Sequence, residues 1–231
     1  MKIWGLWTII LGLTLASCNQ EHQTSKSTDN PKENLTSSKE IPGDKSMLSE
    51  SSNEKEEIQN LIRKVLIWAD SKKTIDLLPM LTDNNDSIYI GFDLDKHNQN
   101  LEILKETSYF TTDFIDNYNR IILTLDKGIK NGNYDTWLVG DMPTFIFASD
   151  ANPWCDCQDN MEWNKVQIKI NSLDDKKGEI EWYWGSLSAN THESWKEFSY
   201  NFSVIKNNGR WKISHMEGFD FKENTRKDGQ L

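Results

Sequence analysis

Cys155 and Cys157 stand one residue apart, with Asp156 between them. They are the two thiols left over in a three-cysteine chain once Cys18 is set aside. In an oxidising compartment such a leftover pair tends to bridge. Residues i and i+2 reach disulfide separation only where the chain bends between them, and the small ring is strained. A structural or idle bridge is the plainest outcome, although strained bridges have higher potentials and suit redox work. Free thiols and a metal role are the alternatives, and no second Cys or His cluster at ligand spacing supports the metal.

His215 is the other candidate for chemistry. By the register of a terminal hairpin it falls on the apolar face opposite Phe202. There an imidazole could be a general base or a ligand contact. The plainer alternative is a core-edge histidine bonded to a backbone carbonyl. Trp182, Trp184, Tyr200 and Phe202 share that face by alternation, either as an aromatic wall for an apolar or sugar ligand or as packed core. Asp93-x-Asp95-x-His97 and Asp150-x-Asn152 share the opening spacing of calcium loops. Neither continues with the Gly at position six or the Glu at twelve that close such a loop, so both are excluded. The chain carries no Gly-rich phosphate loop, nucleophile elbow or HExxH, so no catalytic residue and no cofactor is assigned.

The elements that must hold these residues follow from periodicity. Ile58, Leu61, Ile62, Val65, Leu66 and Ala69 form one helical stripe, with Asn53 and Glu56 suited to cap it. A turn is expected at 83–86 and a brief strand over 87–92. One or two helical turns are expected over 101–106, and a long helix over about 111–129. Beyond residue 140 the period becomes two. Val166, Ile168 and Ile170, then Ile180, Trp182 and Trp184, then Phe198, Tyr200, Phe202 and Val204 alternate with polar residues. Asn208-Gly209 is a hairpin signal that pairs Lys206 with Trp211, Val204 with Ile213 and Phe202 with His215. Helices first and an antiparallel meander after them make an α+β domain, expected over 53–231.

The N-terminus reads as an export signal. Met1-Lys2, an apolar stretch over 3–15 and small residues before Cys18 describe a secretory leader over 1–17. Leu15-Ala16-Ser17-Cys18 resembles the bacterial lipobox, which implies lipid attachment at Cys18 and anchoring in the cell envelope. Several acyl chains exceed the two-signal requirement for stable anchoring. The polar remainder of 18–52, with apolar residues few and scattered, is expected to be a disordered tether of about 30 Å reach. With 26 basic against 36 acidic residues, net charge −10 and a pI of about 4.9, the chain lacks the basic footprint of a nucleic-acid binder.

Three stretches carry a family resemblance: 109–114 leading into the long helix, 150–154 running on to Gln158-Asp159, and Gly209-Arg210-Trp211-Lys212-Ile213. Together they resemble exported or lipid-anchored bacterial domains of unknown function in the nuclear-transport-factor-2-like (SnoaL-like, cystatin-like) superfamily. The resemblance implies a cone, with N-terminal helices packed on a curved antiparallel sheet, and transfers no catalytic residues. Cys155-Asp156-Cys157 lies outside its pattern. The expectation is a lipoprotein whose domain binds a small ligand or an envelope protein without chemistry. The alternatives are a ketosteroid-isomerase- or dehydratase-like enzyme using His215, or a structural or inhibitory interaction protein.

Overall fold

The structure is a computed structural model that describes residues 44–226, with side chains from residue 53 onward, all within one unit, Pro42–Leu231. The leader over 1–17, Cys18 and most of the 18–52 segment lie outside the described residues. Helix α1 spans Asp44–Ala69, so it starts ahead of the Asn53 cap expected from sequence. Its stripe behaves as the spacing requires: Ile58, Leu61, Ile62, Val65 and Leu66 are all buried.

Strands β1 (Met80–Thr82) and β2 (Tyr89–Phe92) pair antiparallel around the expected turn. The Asp83 carboxylate accepts from the backbone N–H groups of Ser87 at 2.7 Å and Ile88 at 3.1 Å. Those bonds hold its pKa below the usual carboxylate range. Gly91 in β2 has φ +151°, and a Cβ there would meet Asp126 Oδ1 at 2.8 Å. The closeness has a use. Asp126, buried, accepts from the Phe92 N–H at 2.9 Å and from Lys130 Nζ at 2.8 Å.

Helix α2 runs over Leu94–Thr107, much longer than the turn or two expected at 101–106. Its buried residues are His97, Asn100 and Leu104, a helical face that is two-thirds polar and therefore silent to a hydrophobic-period search. Asp93 caps it by accepting from the Lys96 N–H, which explains the acidic spacing that opens like a calcium loop. Helix α3 (Thr112–Lys130) is capped by Thr111 and buries Phe114, Tyr118, Ile121, Ile122 and Leu125, as expected.

The second half is a four-stranded antiparallel meander in the order β3 (Val166–Leu173), β4 (Lys177–Trp184), β5 (Tyr200–Asn207), β6 (Arg210–Met216). The helices meet the meander at named points. Arg63 of α1 donates two bonds to the Val166 carbonyl, at 3.0 and 2.7 Å. The segment entering α3 lies along β6: Thr111 N–H donates to the Ile213 carbonyl and Ile213 N–H to the Tyr109 carbonyl, each at 2.9 Å. The architecture is α+β with antiparallel sheets.

One register expectation fails. Lys206 pairs with Trp211 and Val204 with Ile213 as the turn dictates, but a bulge follows between Ser203 and Val204. It leaves Ser214 as an extra residue on β6, so His215 faces Ser203 and Met216 takes the place opposite Phe202. An odd slip exchanges the faces of everything beyond it. His215 is consequently exposed and Met216 buried.

Candidate functional site

The aromatic stripe is a packed layer. Trp182, Trp184, Tyr200 and Phe202 are each no more than 3% exposed. Trp182 meets Trp184 edge-on at 5.1 Å and Phe198 at 4.8 Å, while Trp163 stacks on Trp184 at 5.4 Å. With His215 on the outer face, the five residues expected to line one pocket do not form one. The Tyr200 hydroxyl donates to the Pro153 carbonyl at 2.7 Å and accepts from the Gly218 N–H at 2.9 Å. Burial pushes its pKa well above the ordinary phenol value. A Cβ on Gly218 would fall 2.2 Å from the Pro153 carbonyl oxygen, so this turn passes directly against the loop that carries the two cysteines.

In that loop Cys155 and Cys157 are bridged, with Cα atoms 5.1 Å apart. The bend that a one-residue spacing demands is supplied by Asp156, which sits in the left-handed region at φ +50°. Asn152 organises the loop. Its carbonyl accepts from the N–H groups of Cys155 at 3.0 Å and Asp156 at 2.8 Å, and its N–H donates to the Cys157 carbonyl at 3.1 Å. Its side-chain oxygen accepts from the Trp154 N–H at 3.1 Å. Trp154, 2% exposed, roots the loop in an aromatic cluster, 4.6 Å from Phe219 and 5.4 Å from Trp68. Cys155 is buried there, whereas Cys157 is half-buried and borders two hollows, of ≈ 170 and ≈ 560 Å³. Burial, and secondarily the charge of Glu217, raise the pKa of Asp156 above the usual carboxylate value.

A separate groove of ≈ 520 Å³ lies between α1, the residues that precede α3 and the β5–β6 hairpin. Lys64 comes from α1, Tyr109 from the segment along β6, and Arg210 and Trp211 from the hairpin's second strand. Trp211 is 6% exposed, and its indole N–H is buried without a hydrogen-bond partner. A buried donor left unpaired costs about 1–3 kcal/mol. Lys206 lies over the Trp211 ring at 5.2 Å and is tied to Glu54 at 2.6 Å. The side chains of Lys64 and Arg210 make no hydrogen bond or ion pair among the described residues, in a chain of net charge −10. Glu57 is the acid on the same groove.

Sequence reasoning placed Trp211 in the resembling motif but did not single it out as a site residue. An unpaired indole N–H has no signature in sequence, because it depends on what the fold withholds from it. The His215 side chain, in contrast, has neither a hydrogen bond nor an ion pair among the described residues. Among those residues there is no cluster of three or more His, Cys, Asp or Glu able to hold a metal ion, and no helix long and apolar enough to cross a membrane. Comparison of the chain with protein-family models, with curated proteins and with solved structures finds no match.

Proposed function

We propose that the chain is an envelope lipoprotein, anchored by lipid at Cys18, whose folded unit binds a small carboxylate-bearing ligand without transforming it. The observation that carries the reading is the groove at Trp211. Trp211, Lys64 and Arg210 line one hollow, and among the described residues the side chains of both cations are without a partner. A carboxylate supplies the countercharge for Lys64 and Arg210, and an apolar body suits the Tyr109 and Trp211 side of the groove. The finer shape is part of the same proposal. Helices ahead of a four-stranded antiparallel meander fit the cone of nuclear-transport-factor-2-like domains, and the anchor fits the Leu15-Ala16-Ser17-Cys18 sequence.

Benzoate serves as the probe, with neutral benzamide as its control, in calorimetric titrations of the full chain. Saturable binding of benzoate is expected, with benzamide much weaker. Arg210→Gln is expected to weaken benzoate by about tenfold or more, the worth of one charge-assisted hydrogen bond. Equal binding of benzoate and benzamide, or an unaffected Arg210→Gln variant, would contradict a carboxylate site.

A further inference from the structure

We propose that the Cys155–Cys157 bridge is a thiol-exchange site, opened by attack of a positively charged thiol on the sulfur of Cys157. Three observations carry this. The first is that stability gives little reason for the bridge. A ring spanning a sequence separation of 2 removes little chain entropy, and the loop is already held by the four Asn152 hydrogen bonds and by Tyr200 on the Pro153 carbonyl. Reduction would therefore leave both thiols in place, within reach of each other.

The second is asymmetry. Cys155 is 2% exposed and borders the smaller hollow alone, whereas Cys157 is half-buried and borders both. An incoming thiol has room at Cys157, with the Cys155 sulfur behind it as the leaving group. The third is charge. The ionisable residues that line the two hollows are Asp70, Asp76 and Asp150, with no Lys, Arg or His among the linings. Asp76 is paired with Lys96, which leaves Asp70 and Asp150 as the uncompensated acids of the two linings. A positively charged thiol is drawn to such a wall and an anionic one repelled.

The exchange balances as two steps. A thiolate bonds to the Cys157 sulfur while the S–S bond breaks, and the electron pair leaves on the Cys155 sulfur, which takes a proton from water. A second thiol then attacks the mixed disulfide, releasing the oxidised thiol dimer and leaving Cys157 as a thiol. Two thiols, or one dithiol on a partner, are oxidised as the bridge is reduced.

The test treats the native full chain with cysteamine, which is cationic, or with 2-mercaptoethanesulfonate, which is anionic and of similar size. Rates are compared per thiolate and at two salt concentrations, and the first adduct is trapped by alkylation and located by fragment mass spectrometry. The expected result is a cysteamine adduct on Cys157 with the alkyl label on Cys155. Cysteamine should react roughly tenfold faster, an advantage that shrinks at high salt. Asp150→Asn should reduce that preference. Adducts on Cys155, equal rates for the two thiols, or exchange only in denaturant would each overturn the proposal. The outcome is independent of benzoate binding at the Trp211 groove.

Discussion

His97 is 1% exposed, with its Nε2 2.9 Å from Asn119 Oδ1, its Nδ1 without a partner and the Tyr118 ring at 5.2 Å. Burial, only partly offset by the Asn119 bond, lowers its pKa below the ordinary value of 6.5. The folded state therefore binds this proton less readily than the unfolded chain. Stability from the neutral ring is present above about pH 6.5 and is lost progressively as pH falls toward the lowered folded value. Denaturant midpoints measured between pH 7.5 and 5.5 should fall, and His97→Gln should flatten the decline. An unchanged slope in His97→Gln would place the titrating group elsewhere. In sequence His97 was visible only as the end of an acidic spacing; nothing local marks a histidine as buried. The same holds for the pair at 155 and 157, whose spacing raised the bridge while burial decided which sulfur faces outward.

At the scale of elements, what was legible depended on how apolar the buried face is. α1, α3 and the four strands of the meander bury faces rich in Ile, Leu, Phe and Trp, and their periods are plain. α2 buries His97 and Asn100 and was read too short. The β5–β6 bulge has no sequence marker, and one unpaired residue carried His215 from the expected inner face to the outer one. The hairpin turn itself was legible because its backbone needs it: Asn208 has φ +52° and Gly209 φ +76°. A Cβ on Gly209 would meet nothing within 4 Å, so Gly209→Ala isolates the backbone effect. It should lower unfolding stability by about 1 kcal/mol, with the denaturant slope unchanged. No loss at all would mean the turn relaxes to another type.

For the whole molecule, the α+β class and the helices-then-meander order were legible, whereas the groove was not. Lys64, Tyr109 and Arg210 are far apart in sequence and meet only after the segment before α3 lies along β6. The proposed anchor acts at this scale as well. Cys18→Ser should move the protein to the soluble fraction or leave an uncleaved precursor; a variant still processed and membrane-bound would contradict lipidation. The acidic net charge gives Lys64 and Arg210, without side-chain partners among the described residues, their meaning, since a carboxylate otherwise meets a repelling surface. The most direct test of ligand binding is the indole N–H resonance of Trp211, assigned among the ten tryptophans by Trp211→Phe, during a benzoate titration of the ¹⁵N-labelled full chain. A saturating shift of that one resonance is expected, because Trp211 lines the groove that benzoate fills. A Trp211 resonance that stays still while benzoate saturates the protein, or no saturation at all, would contradict it.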